Sequence, residues 1–137
     1  MSVGTELQTA MYAALSTPLA AGLVGLYDEA PELPIGMPDT SFPYVVIGEM
    51  DFTPWDADDI IGYEVYTSLH IWSRYRGKKE LHDAFEICKD ALNRQTLSLA
   101  SWRVFDILQF GGFATTREGD NTTMHGFGRF VFKLTAS

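Results

Sequence analysis

The sequence predicts an α+β fold: an antiparallel or mixed sheet of about five to six strands, with two main helices packed on one face. An amphipathic pattern opens the chain, a stronger one spans residues 77–94, and short segments of β-strand character separate and follow them. Strands joined by short turns favour antiparallel pairing, because parallel pairing needs long crossovers. Two helices that cover one face of such a sheet form a two-layer α+β sandwich.

Hydrophobic spacing, together with the positions of proline and glycine, sets the order of the predicted elements. These are a helix at 2–15, strands at 23–28, 44–50 and 63–72, a helix at 77–94, and strands at 102–110, 113–118 and 125–134. Two predicted loops interrupt them, a proline-containing loop at 29–42 and an acidic loop at 51–62. We expect Pro18 and Gly22 to end the first helical region, and residues 119–121 (Gly-Asp-Asn) predict a hairpin turn.

Length and charge limit the classes of function. A chain of 137 residues fits one domain, so we expect a single domain spanning residues 1–137. The net charge of −8 disfavours a nucleic-acid-binding surface, because phosphate groups repel an acidic protein. The only short basic cluster (Arg74, Arg76, Lys78 and Lys79) is interpreted as solvated residues at the start of a helix.

The cysteine content and the apolar segments indicate the cellular setting. Cys88 is the only cysteine, which excludes an internal disulfide and fits a reducing compartment. Its place on the apolar face of the second helix favours a buried, inert thiol. The longest apolar stretch, residues 15–27, contains Pro18 and several glycines and is too short for a membrane span. With no secretory signal visible, we expect a soluble protein made in the cytoplasm.

Residues that could carry catalysis form no recognisable pattern. His70, His82 and His125 belong to no HxH, HExxH or CxxC arrangement, so no zinc site is predicted. The chain contains neither a nucleophile elbow nor a phosphate-binding P-loop. We therefore expect a protein that is not an enzyme and needs no cofactor or metal.

The acidic loop at residues 51–62 combines several aspartates with a tryptophan. The spacing of Asp56, Asp58 and Asp59 lacks the later glycine and glutamate of a calcium-binding EF-hand loop, which favours a solvated loop. Trp55 leaves two interpretations open. Its indole folds back onto its own core, or it anchors a neighbouring subunit, since tryptophan is enriched at interface hot spots.

The segment at residues 69–92, LHIWSRYRGKKELHDAFEICKDAL, carries a family resemblance. It consists of a strand ending in Trp72-Ser73-Arg74, a turn with Gly77, and a helix that opens with acidic residues. Three further features follow the same family order: Tyr27-Asp28 before the proline loop, Phe42-Pro43-Tyr44-Val45 at the entry to the second strand, and the ending GDNTTMHGFGRFVF. Together they resemble the tail-completion family of bacteriophages, which is found in phage and prophage tail gene clusters.

The resemblance implies the α+β fold of tail-terminator proteins and a ring, usually of six subunits, that caps the tail tube. Such a ring would end tube polymerisation and provide the surface for head joining. Its partners would be copies of itself, the tail tube protein and the head connector, while DNA passes through without specific binding. The protein would be made in the host bacterial cytoplasm and reside in the virion tail.

The resemblance provides no catalytic residues. We interpret the family motif residues Trp72, Ser73, Arg74 and Gly77 as structural. Ser73 is expected to cap or close the turn, and Arg74 is expected to pair with a helix carboxylate.

The acidic loop has no counterpart in the family pattern, so its role is a separate hypothesis. Asp56, Asp58 and Asp59 would line the lumen of the ring, where carboxylates repel DNA, or would lie on a loop that reaches the tube. Two other functions stay open. One is a head–tail connector or neck subunit of the same virion. The other is a small-ligand-binding or enzymatic domain, which would need a deep apolar pocket with convergent polar groups.

Overall fold

The computed structural model of the chain describes residues 2–20, 22–23, 25–29 and 33–136. Within these ranges the elements are, in order, α1 (Val3–Leu19), β1 (Gly25–Tyr27), β2 (Tyr44–Pro54), β3 (Gly62–Ser73), α2 (Lys79–Leu92), β4 (Trp102–Arg117) and β5 (Met124–Ala136). The described strands form one sheet in the order β1-β2-β3-β5-β4. The β1–β2 pair is parallel and the other pairs are antiparallel. The predicted α+β fold, with two helices and about five strands, is confirmed.

The described residues between β1 and β2, 28–29 and 33–43, are largely irregular, as the prolines among them predict. They contain two short 3₁₀ turns, Pro34–Gly36 and Asp39–Ser41. β1 is shorter than the strand predicted at 23–28, and residue 24 of that prediction lies outside the described residues.

The predicted acidic loop at residues 51–62 is wrong at both ends. β2 continues to Pro54, and β3 begins at Gly62, so the loop shrinks to residues 55–61. The strand extends because it stays paired with β3 up to Pro54, opposite Tyr63. A proline is tolerated there because it stands at the end of the strand.

The two strands predicted at 102–110 and 113–118 are one strand, β4. Its pairing with β5 shifts register between Phe110 and Ala114, and Gly111 within the shift has a φ of +70°. The glycine pair therefore marks a β-bulge inside a continuous strand and not the end of a strand. The turn predicted at residues 119–121 is confirmed.

Both helices differ in length from their predictions. α1 continues beyond residue 15 to Leu19, because Pro18 in the last turn removes only one intrahelical hydrogen bond. α2 is shorter than residues 77–94, because Gly77 and Arg94 have φ values of +96° and +62°. A positive φ is incompatible with a right-handed helix.

The core lies between the two helices and one face of the sheet. Its fully buried side chains come from every layer: Leu7, Met11, Leu15, Leu81, Cys88, Leu92, Val65, Leu69, Ile71, Phe130 and Phe132. Each aliphatic or aromatic side chain of this kind contributes about 1.5–3 kcal/mol by burial. Burial also raises the pKa of the Cys88 thiol to about 12, so the predicted buried thiol is confirmed.

The opposite face of the sheet is partly covered by residues 33–42. Met37 and Phe42 from this segment pack with Tyr44 in a second buried cluster, against Trp72. Burial raises the pKa of the Tyr44 hydroxyl to about 12. This cluster holds the segment against one end of the sheet.

Candidate assembly surfaces

The hairpin tip between β2 and β3, residues 55–61, is closed by its own backbone. Ala57 and Ile60 exchange two backbone hydrogen bonds of 3.0 Å each, which makes Asp58 and Asp59 a two-residue turn. A hairpin closed in this way holds its turn residues in position before any partner binds.

Trp55 folds back onto its own chain at the base of the hairpin tip. Its ring makes an edge-on contact with Phe105, with centroids 5.9 Å apart. It also covers Gly62, where an added β-carbon would lie 2.5 Å from the indole. The Asp56 carboxylate accepts a hydrogen bond of 3.4 Å from the Gly62 N–H. The half-buried indole thus has partners within the chain, and its role as an anchor for a neighbouring subunit stays a prediction.

Two isoleucines beside the predicted aspartates are exposed. Ile60 is 44% and Ile61 56% exposed, although the Ile61 carbonyl accepts a hydrogen bond of 2.9 Å from the Ala136 N–H of β5. Sequence reasoning did not select these side chains as site residues. The signal for them in the sequence was two adjacent isoleucines in a loop rich in aspartates, because a solvated loop has no need of large apolar side chains.

The Arg74 guanidinium connects the end of β3 to residues 33–42. Nη1 donates to the Met37 carbonyl and to the Asp39 carboxylate, at 2.7 Å each. Nη2 donates to the Pro34 carbonyl at 2.9 Å, and Nε donates to Thr123 Oγ1 at 3.2 Å. The guanidinium also lies over the Phe42 ring, 4.3 Å from its centroid. We call this group, Arg74 with Pro34, Met37, Asp39, Phe42 and Thr123, the Arg74 cluster.

The expectation that Arg74 pairs with a helix carboxylate is wrong. Ser73 makes the bond to the helix instead: its hydroxyl donates to Glu80 Oε1 at 2.6 Å and accepts from the Tyr75 N–H at 3.0 Å. Successive residues of a strand point to opposite faces. Ser73 therefore faces α2, whereas Arg74 faces residues 33–42 and pairs with Asp39.

The turn between β4 and β5 positions Thr123 beneath Arg74. The Asp120 carboxylate accepts hydrogen bonds from the Thr122 N–H at 3.0 Å, the Thr123 N–H at 2.8 Å and the Thr123 hydroxyl at 2.6 Å. These bonds, that of the hydroxyl above all, lower the pKa of Asp120 to about 2. Because Thr123 is fully buried, this arrangement fixes one of the acceptors of Arg74.

Trp72 belongs to a stacked group on the sheet face opposite the helices. Its ring lies against His125, with centroids 3.9 Å apart, and His125 Nε2 lies 2.8 Å from His70 Nδ1. Burial, followed by the neighbouring His70, lowers the pKa of His125 to about 4. The β3–β5 register brings the two histidines together, whereas His82 lies on α2 beside Phe113.

A cleft of about 530 Å³ opens at the end of β3, between the turns that precede α2 and β5. We call it the basic cleft; it is lined by Arg74, Tyr75, Arg76, Gly77, Arg117, Asn121, Thr122 and Met124. Gly77, with its φ of +96°, occupies backbone space that favours glycine. The motif glycine therefore sets the path of the turn that forms one wall of the cleft.

The described residues also limit what the site can hold. In residues 2–20, 22–23, 25–29 and 33–136, no three or more His, Cys, Asp or Glu side chains are grouped so that they could hold a metal ion. Over the same ranges, no helix combines the length and apolar character needed to cross a membrane.

The exposed apolar and charged side chains at the two ends of β3 form surfaces of the kind that contact other proteins. The fold is similar to that of a chain in the virion of a native gene transfer agent particle, with a TM-score of 0.78, 18% identity and 98% coverage of both chains. It is also similar to the gp17 protein of bacteriophage SPP1, with a TM-score of 0.56 and 22% identity over 93% of this chain and 88% of that one. These likenesses concern the fold.

Residues 9–134 match the family described as tail completion protein gp17, and the chain belongs to this family. It is therefore a virion structural protein that takes part in completing the bacteriophage tail. No curated protein sequence matches the chain.

Proposed function

We propose that the protein, acting as a single domain over residues 1–137 and without catalytic activity, forms a ring that caps the tail tube. The ring ends tube polymerisation and provides the surface to which the head connector joins. The observation that carries this proposal is membership of the tail-completion family over residues 9–134. A ring of six copies is the expected assembly.

The physical argument for a ring is that the subunit offers two different surfaces. The hairpin tip precedes β3 and the basic cleft follows it, so one strand separates them. Contacts between two different patches on identical subunits form closed rings when the rotation between neighbours closes. A symmetric dimer would instead pair one patch with itself.

The hairpin tip has three possible places in such a ring. Asp56, Asp58 and Asp59 would line the lumen, contact the tube, or lie between subunits, where Trp55 would act as an anchor. Carboxylates in a lumen would repel DNA and let it pass without specific binding. A structure of the assembled ring with residues 55–61 on its outer wall would eliminate the lumen version.

Light scattering coupled to size-exclusion chromatography, followed by negative-stain microscopy, tests the ring. We expect a closed particle with a central hole at high protein concentration. A subunit that stays monomeric in solution is tested further on tubes grown from the cognate tube protein. Protein bound at one tube end, with a limited tube length, supports the terminator function; unlimited growth contradicts it. Protein bound at the head connector but not at the tube end supports the neck alternative.

A further inference from the structure

Positive and negative side chains are unevenly distributed along the chain. The first 73 residues contain eleven Asp and Glu residues and no Lys or Arg, and all ten Lys and Arg residues lie in residues 74–137. The first cation, Arg74, directly follows β3. This strand therefore leads from an acidic hairpin to a basic turn.

The hairpin tip presents an apolar centre surrounded by carboxylates. Ile60 and Ile61 are about half exposed, and Asp56, Asp58 and Asp59 beside them are exposed as well. An exposed apolar patch with a polar rim is typical of a protein–protein contact. Because backbone hydrogen bonds already close the turn, little further ordering is needed on binding.

The basic cleft offers the complementary surface. Tyr75 is 51% exposed and supplies apolar area, while Arg76 and Arg117 supply guanidinium groups. Arg76 lines the cleft, and Lys78 is an exposed residue next to Gly77, just outside the lining. Among the residues that the structure describes, neither has a carboxylate within 4.0 Å. Arg74, in contrast, is bonded within its own chain. Part of the positive charge at this end is therefore available to a partner.

The hairpin tip and the basic cleft of one molecule cannot meet. β3 has twelve residues, so its ends lie roughly 36 Å apart at about 3.3 Å per residue. Any contact between the two surfaces must therefore join two molecules. Such a contact is heterologous, which is the type that a ring requires.

We propose that the hairpin tip of one subunit docks into the basic cleft of a second copy of this chain. The two isoleucines lie against Tyr75, and the aspartates of the turn face Arg76 and Lys78. Opposite charge and the matching apolar centres favour another copy of the chain as the occupant. The inference rests on the ring proposed above and names the contact that closes it.

Zero-length carbodiimide cross-linking of the wild-type protein tests this contact, both in concentrated solution and on tubes of the cognate tube protein. The reagent joins a carboxylate to an amine only where the two touch. A link from Asp58 or Asp59 to Lys78 must come from two molecules, given the length of β3. We expect a ladder of multimers that carry this link. Chymotrypsin releases the linked peptides, because the first 73 residues offer trypsin no cleavage site.

A charge exchange tests the same contact by mutation. One variant carries Asp58→Lys and Asp59→Lys, and the other carries Arg76→Glu and Lys78→Glu. Each variant alone brings like charges together, and we expect its assembly to be at least about tenfold weaker, since charge pairs at an interface couple by more than about 1.5 kcal/mol. In an equimolar mixture the two variants can alternate around the ring, and every contact then joins a tip and a cleft of opposite charge. Assembly of the mixture should therefore recover.

The matched control carries Glu86→Lys and Asp90→Lys, the same change of charge as in the Asp58 and Asp59 variant, at exposed positions of α2. It should assemble like the wild type.

Four outcomes would contradict the contact. Rings of normal stability from either reversed variant alone, or cross-links that join other surfaces, would overturn the contact and leave the proposed ring intact. A wild type that forms no ring, in solution or on tubes, would overturn the proposed function and the contact with it. Cross-links from the hairpin tip to the tube protein would identify that partner and overturn docking on a second copy.

Discussion

The Arg74 cluster and the hairpin tip lie at opposite ends of β3 and use polar groups in opposite ways. In the cluster, the guanidinium points inward and is bonded to loop carbonyls and to Asp39. At the tip, the backbone makes the closing bonds, and the carboxylates and isoleucines remain exposed. The polar groups of the Arg74 cluster thus contribute to the stability of the subunit, whereas the exposed carboxylates of the hairpin tip are free to contact another molecule.

Replacing Arg74 with alanine should have the largest effect on stability. We expect the free energy of unfolding to fall by about 3 kcal/mol, because the partly buried carbonyls of Pro34 and Met37 lose charge-assisted donors. Urea unfolding followed by tryptophan fluorescence measures this change. Arg74→Lys keeps the charge without the planar fork and should lose less. A wild-type unfolding midpoint for the alanine variant would mean that the cluster does not hold the loop.

His125→Gln should flatten the pH dependence of stability at the same end of the molecule. Burial lowers the pKa of His125 from 6.5 to about 4, so the unfolded chain binds this proton more readily. The stability from neutral His125 is complete above pH 6.5 and is lost as the pH falls toward 4. Because the ring is half buried, we expect the wild-type protein to lose about 2 kcal/mol of unfolding free energy over this pH range from His125 alone, a loss that His125→Gln should not show. Urea midpoints at pH 7.5 and 4.5 measure it, and equal drops in both proteins would contradict the assignment.

Trp55→Ala tests whether this side chain stabilises its own subunit or contacts a neighbouring one. The indole covers Gly62 and contacts Phe105 but is only half buried, so we expect a loss of about 1 kcal/mol in the monomer. Trp55→Phe retains a ring on the glycine and serves as the control. If Trp55→Ala folds and weakens ring assembly by more free energy than it costs the monomer in unfolding free energy, Trp55 anchors a neighbouring subunit. If the two losses are equal, Trp55 acts only within its own chain.

Asp58→Asn with Asp59→Asn should have the smallest effect on stability, below about 0.5 kcal/mol, because the two side chains are exposed. Their loss should nevertheless weaken assembly and reduce its dependence on salt, since salt screens exposed charges. Light scattering between low and high ionic strength measures both. An unchanged salt dependence would mean that these carboxylates face no positive partner.

Much of the fold could be predicted because spacing in the sequence reports burial directly. Alternation over residues 63–72 defined β3, and the apolar stripe around Cys88 defined α2. The extension of β2 to Pro54 and the bulge at Gly111 depend on pairing with distant strands, which local residue types do not reveal.

The candidate site was less predictable for the same reason. Arg74 finds Asp39 across 35 residues, and Trp72 meets His125 only through the β3–β5 register. The family motif marked which residues matter at that end, but their partners depend on the tertiary fold. Ile60 and Ile61 were missed because the aspartates beside them favour a solvated loop.

The burial of Cys88 makes the natural chain suited to site-specific labelling. Its thiol is inaccessible, and its raised pKa keeps it protonated at neutral pH, so maleimide reagents should leave it unmodified. A cysteine introduced at Glu86, an exposed position of α2 outside the proposed contact, would then be the one reactive thiol of the folded protein. A gold cluster at that position would reveal the end of the tail that the subunit occupies, and spin labels there would report the distances between neighbours.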